Sequence, residues 1–359
     1  FDIGPPESVN CLNGELVLDS GQWKLSPHNR EHYRTTQIPV LFDSKATAPR
    51  FIKFMNEIFN NEKDNPAKIT ALLEMIGYTL MAHCKHEKFI ILVGNGANGK
   101  SVLLSILEAL CGSDNVAGVQ PAQFDRSFQR AHLQGKLANI VTEIKQGEVI
   151  DDASLKSIVS GEPTTVEHKF CNPFSMRPYS TCWFGTNHLP HTRDFTRAMF
   201  RRAIIVEFNH EFKPELGNCD PDLKSKLLDE LPGILNMGLQ AYSNALANRF
   251  TLPDSSKNAL EEWRLEADQV AQYIEEICVD SPSSEIPSKI LFDSYIGWAL
   301  ESGVRQTVGI RSFRDRLTKL GYGTKRTASA RMVTGLTLNS MTLVTGVTHL
   351  PTLHSVKNI

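Results

Sequence analysis

Apolar positions change rhythm several times along the chain. Through residues 1–49, short apolar stretches are broken by turn signals (Asn13-Gly14, Ser20-Gly21, Pro27, Pro39, Pro49), a pattern that predicts short strands and loops. Asn13-Gly14, between Cys11-Leu12 and Leu16-Val17-Leu18, predicts a hairpin turn. Phe51, Phe54, Met55, Ile58 and Phe59, then Ile69, Leu72, Leu73, Ile76 and Leu80, recur at helical spacing and predict two helices. From 89 to about 210 the rhythm alternates. Continuous apolar runs at 89–93, 137–142, 181–185 and 203–208 suit buried strands, with helical stretches between them, which predicts a three-layer α/β core. After Pro221 helical spacing returns in Leu223, Leu227, Leu228, Ile234, Leu235 and Leu239, and Pro253-Asp254-Ser255-Ser256 predicts a linker. Beyond it, Val270, Tyr273, Ile274 and Ile277, then Ile290, Leu291, Tyr295, Ile296 and Ala299, predict two helices. A third helix at 312–320 and a hairpin over 322–338 complete a winged-helix outline. The predicted division is 1–88, 89–250, 260–340 and a tail at 341–359.

Composition narrows the class. A chain of 359 residues is long enough for two or three domains. With 41% hydrophobic and 22% charged residues it is neither disordered nor collagen-like, and no apolar run approaches the roughly 20 residues of a membrane span. The seven cysteines (11, 84, 111, 171, 182, 219, 278) are scattered, with no C-x-x-C pair, which argues against a disulfide framework or a zinc site and for a reducing, cytoplasmic location. The chain opens on Phe1 with no signal-like segment, so a fragment of a longer protein is expected. The net charge of −2 hides a local patch. Between Arg305 and Arg331 stand eight cations (Arg305, Arg311, Arg314, Arg316, Lys319, Lys325, Arg326, Arg331) and one acid, Asp315.

The most specific chemical signal is Gly94-Asn95-Gly96-Ala97-Asn98-Gly99-Lys100-Ser101, a full G-x-x-x-x-G-K-[ST] loop between an apolar strand and a helical run that ends at Gly112. Glycines let backbone N–H groups wrap phosphates, while the helix N-terminus, Lys100 and Ser101 supply dipole, charge and a Mg²⁺ ligand. A chance match in a chain of this length is about one in a hundred. The loop predicts ATP or GTP binding but not the use made of the energy.

Three further features bear on that use. The run 137–142 ends in Glu143, the candidate base and second metal contact; Thr142 stands where many such enzymes carry Asp. The rival acidic pair Asp151-Asp152 suits the N-cap of a helix ending near Gly161. Asn187 leaves the next strand where an amide could orient water against a γ-phosphate, although a turn-forming Asn fits as well. Arg197, Arg201 and Arg202 precede the run 203–208, and either an arginine finger or surface salt bridges accounts for them.

In this order the residues resemble the superfamily 3 helicases of phage and plasmid replication, specifically the P4-type primase-helicases and their poxvirus D5-like relatives. The resemblance runs from Asn13-Gly14-Glu15-Leu16 through the helical 49–80 segment, the G-N-G-A-N-G-K-S loop, Gly135-Lys136 leading to Glu143, residues 156–161, Thr186-Asn187-His188-Leu189-Pro190 and Arg201-Arg202. It implies an AAA+-type ring, hexameric, that hydrolyses ATP with Mg²⁺ between subunits and moves on single-stranded and forked DNA, usually 3′ to 5′. In it Asn187 would be the sensor, Glu143 the Walker B acid, and the finger would fall within Arg197 to Arg202. Such helicases carry a channel hairpin after the acid. Here 164–170 and 174–181 would be its arms around Cys171-Asn172-Pro173, making Lys156, His168 and Lys169 candidate phosphate contacts. The resemblance extends to the basic C-terminal module, with Arg311, Arg314 and Lys325 as DNA contacts. A primase-polymerase domain often lies upstream in relatives; no carboxylate cluster of that kind precedes residue 50. Two alternatives stay open: an ATPase that remodels a protein or nucleoprotein complex without unwinding, and a non-catalytic DNA-binding initiator module.

Overall fold

The computed structural model describes residues 4–145, 147–192, 194, 197–213, 215, 220–302, 304, 307–328 and 330–339, without the side chain of Glu266. The tail at 341–359, Arg193, Cys219 and Arg305 lie outside the described residues. The chain divides into two compact units, 1–263 and 264–359.

The first unit opens with an antiparallel sheet of β1 (Ser8–Cys11), β2 (Gly14–Asp19) and β3 (Gln22–Ser26). Cys11 pairs with Gly14, so the first turn is Leu12-Asn13, one residue earlier than the Asn-Gly signal suggests. The two expected helices follow as α1 (Pro49–Ile58) and α2 (Asn65–Thr79); proline stands in the first turn of each, where its missing N–H has no helical partner to lose.

The strands β4 (Phe89–Val93), β5 (Val116–Ala117), β6 (Ala138–Val141), β9 (Thr181–Thr186) and β10 (Ala203–Glu207) form one parallel sheet in the order β10-β4-β9-β6-β5. Between them run α3 (Lys100–Cys111), α4 (Ser127–Ala131), α5 (Asp152–Val159), the hairpin of β7 (Thr164–Val166) and β8 (Phe174–Met176), and the short α6 (Arg197–Phe200). Strands β4, β6, β9 and β10 are buried almost throughout because both sheet faces are covered. Their core is continuous with residues of β1, β2, α1, α2 and α3 and of two later helices, α7 (Leu223–Leu228) and α8 (Leu231–Asn248). The N-terminal segment therefore shares one core with the sheet. The anticipated linker at 253–256 is instead the start of α9 (Asp254–Ala267). Ser256 is fully buried with its hydroxyl donating to the Ile205 carbonyl, and Ser255 N–H donates to Asp64 at 2.9 Å. Proline followed by Asp and Ser is equally the signature of a helix beginning.

In the second unit α10 (Gln269–Ile277), α11 (Ser288–Glu301) and α12 (Ile310–Lys319) pack on an antiparallel sheet of β11 (Cys278–Pro287), β12 (Gly323–Arg326) and β13 (Arg331–Leu338), in the order β11-β13-β12. Its core holds Tyr273, Leu291, Tyr295, Phe313, Leu317, Val333 and Leu336. The expected hairpin is β12–β13. Strand β11 was not expected, because its Asp, Ser and Pro residues do not alternate with apolar ones. Among the described residues no helix is long and apolar enough to cross a membrane.

Candidate functional site

The glycine-rich loop leaves the C-terminal end of β4 and ends where α3 begins at Lys100. Gly94 has φ 154°, and a Cβ there would lie 2.4 Å from the Phe208 carbonyl oxygen, so the close approach of β10's continuation excludes any side chain. Asn95, Gly96 and Ala97 are exposed at the crest. Beneath them Lys100 is buried and folded back: its ammonium donates to the carbonyls of Gly94 and Asn95 (3.3 Å to the latter) and to Asn98 Oδ1 at 3.2 Å. The Asn98 amide in turn donates to the Asn95 carbonyl and, at 3.3 Å, to Phe208. Burial lowers the Lys100 pKa from its ordinary value, opposed by the negative charge of Glu143. The sequence placed Asn98 in the loop without showing that it cages the lysine.

Strand register gathers the other candidates at the same edge. Val93 of β4 pairs with Thr186 of β9, and Phe184 of β9 pairs with Val141 of β6. Asn187 directly follows β9, and Glu143 stands two residues past β6; both are exposed. Backbone bonds from Gly94 N to Thr186 O (3.2 Å) and from Ile144 N to Gly185 O (3.0 Å) tie the three strand exits together. Ser101, in the first turn of α3, is exposed. The loop, an acid, an amide and a hydroxyl thus surround the carboxyl ends of adjacent parallel strands, where open α/β sheets bind their ligands. The expected cap is present as well: Asp151 accepts from Ser154 N at 2.8 Å at the start of α5.

Arg201 and Arg202 lie at the opposite edge. They precede Ala203, which pairs with Phe89 at the start of β4. The length of β4 separates them from the loop by about 16 Å, at roughly 3.3 Å per strand residue. Both reach Glu87, at 2.8 and 2.9 Å. Arg202 is also bonded to Ser160 Oγ at 3.0 Å and to the Ala198 carbonyl, and its side chain is 10% exposed, against 61% for Arg201. Lys88 donates to the Arg201 carbonyl at 2.6 Å; burial, then the charges of Arg201 and Arg202, lower its pKa. Arg197 begins α6.

The hairpin ladder is shorter than the sequence suggested. Thr164↔Met176, Thr165↔Ser175 and Val166↔Phe174 pair, leaving a seven-residue tip at 167–173. Pro173 lacks an N–H to extend the ladder. His168 and Lys169 lie exposed on that tip. Lys156 lies instead on α5, ion-paired with Asp194. In the second unit Arg311 is exposed on α12, Arg314 donates to Ser288 Oγ at 3.0 Å, and Lys325 is ion-paired with Glu285 of β11. Arg316 is ion-paired with Asp268. Acids from distant segments therefore neutralise part of the patch that the 305–331 count isolates.

Comparison with known families finds three matched segments. The family described as D5 N terminal like matches residues 4–60, a family of unknown function (DUF5906) matches 92–202, and the family described as Poxvirus D5 protein-like matches 265–340. Among solved structures, the A form apo structure of the NrS-1 C terminal region is 12% identical over 91% of this chain and 94% of that chain, with a TM-score of 0.47. Another apo structure of that region is 10% identical over 91% and 95%, with a TM-score of 0.48. The two D5-type matches fall at opposite ends of the chain, flanking a match that contains the glycine-rich loop, Glu143, Asn187 and the paired arginines, so this chain is similar to D5-type proteins at both ends.

Proposed function

We propose that this chain is the motor portion of an ATP-dependent DNA helicase of the superfamily 3 type, acting in replication of a phage, plasmid or integrated mobile element. The observation that carries the reading is the convergence of Gly94–Ser101, Glu143 and Asn187 at one edge of a single parallel sheet, while Arg201 lies at the other. Lys100 and the backbone N–H groups of the crest would hold the β- and γ-phosphates. Glu143 would take the proton of the attacking water, and Asn187 would orient it. Among the described residues no group of three or more His, Cys, Asp or Glu could hold a metal, so Mg²⁺ would depend on Ser101, Glu143 and the phosphates. Arg201 cannot reach its own loop and would act on a neighbour's ATP in an AAA+-type ring, hexameric by the family pattern. The second unit would hold duplex next to the fork through Arg311, as a winged-helix module does, and movement would be 3′ to 5′.

The test is Mg²⁺-dependent ATP hydrolysis with and without single-stranded DNA, paired with unwinding of a fork. Wild type should be stimulated by the strand and should separate the fork; Lys100→Ala should lose nucleotide binding, and Glu143→Gln should bind ATP without cleaving it. Hydrolysis indifferent to DNA, with the fork left intact, would favour a remodelling ATPase instead.

A further inference from the structure

At the tip of the β7–β8 hairpin stands the most exposed aromatic side chain among the described residues. Phe170 is 95% exposed and has φ 65°, a left-handed conformation that bulky side chains rarely adopt. The Lys169 ammonium lies over its ring, 5.0 Å from the centroid. The rest of the tip is held: His168 stacks on Phe174 at 5.3 Å, Cys171 N donates to the His168 carbonyl at 2.9 Å, and Glu167 accepts from Ser127 Oγ at 2.8 Å. Arg130 donates to the Thr165 carbonyl at 3.2 Å, tying the base of the hairpin to α4. One ring is thus presented to solvent on an anchored support.

A protein-docking surface needs a contiguous apolar patch of several hundred Å². Phe170 instead has His168, Lys169, Cys171 and Asn172 around it, all exposed. An exposed ring with a cation over one face matches one nucleotide of a single strand: the other face for the base, the ammonium for the phosphate. Glu167, the one acid of the tip, is held toward Ser127.

We propose that Phe170 is a base-stacking contact for single-stranded DNA, so that the hairpin holds the strand by a base as well as by its phosphates. The proposal rests on the reading of the chain as a DNA motor and adds to it a contact that requires bases. It predicts tolerance of sequence, because every base has a π-face, and intolerance of base loss.

The full chain, with a non-hydrolysable ATP analogue, is titrated against a thymidine homopolymer and against an abasic deoxyribose-phosphate strand of equal length, across a salt series. Wild type should prefer the base-bearing strand by about tenfold, within the range that one stacked base supplies. Phe170→Ala should abolish that preference and leave the salt slope unchanged, while Phe170→Trp should keep it. Lys169→Ala should lower the salt slope by about 0.7, the value of one phosphate contact on a single strand, and retain the preference. The exposure of Phe170 and Lys169 makes misfolding of these variants unexpected, and unchanged denaturation midpoints check it. Equal wild-type affinity for the two strands, or a preference surviving in Phe170→Ala, overturns the stacking contact while leaving the motor standing. Failure to bind either strand overturns both.

Discussion

Arg201 and Arg202 are neighbours in sequence and differ in what surrounds them. The Arg202 guanidinium is nearly buried and serves Glu87, Ser160 and the Ala198 carbonyl together; that of Arg201 is mostly in solvent and shares only Glu87 among those groups. Arg202→Ala should lower unfolding stability by about 2–3 kcal/mol, less than for a fully buried pair because Glu87 keeps some solvent. Arg201→Ala should shift stability by less than about 1 kcal/mol, as for a surface pair, and still abolish DNA-stimulated ATP hydrolysis. Denaturant midpoints for both variants check the first half, and an unchanged midpoint for Arg202→Ala would remove its structural role. Which arginine is the more buried was not legible in the sequence, because Ser160, which holds Arg202, lies 42 residues from it. The glycine-rich loop was legible because its chemistry depends on consecutive residues. Asn98 illustrates the limit: its place in the motif was plain, but its bond to the Phe208 carbonyl joins segments 110 residues apart.

Periodicity revealed elements wherever burial imposed a rhythm. The strands β4, β6, β9 and β10 are almost wholly buried and mostly apolar, and α1 buries Phe51, Phe54, Met55 and Ile58, so both kinds of pattern could be read directly. The two-residue β5 is too short for any pattern, and β11 has no fully buried residue, so neither gave a signal. Missing β11 had a consequence for charge, since it carries the Glu285 that pairs with Lys325. The pairing revises what α12 and the β12–β13 hairpin should do. Replacing Arg311, Arg314 and Lys325 together should flatten the salt dependence of duplex binding, each lost phosphate contact lowering the logarithmic slope by about 0.9. Arg311→Ala alone should account for most of the change, and Glu285→Gln should strengthen binding by releasing Lys325. An unchanged slope in the triple variant would leave the patch as a solvated surface, and weaker binding by Glu285→Gln would show that the pair is structural.

At the scale of the whole molecule, the parallel sheet separates the glycine-rich loop from Arg201. The glycine-rich loop, Glu143 and Asn187 gather at the carboxyl ends of the strands, and Arg201 stands at the amino end of β10, about 16 Å away along the sheet. An arginine side chain cannot span that distance, so any action of Arg201 on ATP must be on a second copy. Lys100→Ala subunits have disabled loops and intact arginines; Arg201→Ala subunits have the reverse. Each alone should be inactive. Mixed, they should recover part of the DNA-stimulated hydrolysis, because an interface that joins an intact loop to an intact Arg201 is complete. A finger is worth about 10³ to 10⁵ in rate, so even a minority of correctly ordered interfaces should stand above the background of either variant. The recovered rate should pass through a maximum as the mixing ratio is varied, since activity requires one subunit of each kind at the same interface. If Arg201→Ala assembles normally and hydrolyses ATP at the parental rate on DNA, then Arg201 is only a partner of Glu87. Arg197, at the start of α6, is then the next arginine to exchange in the same experiment.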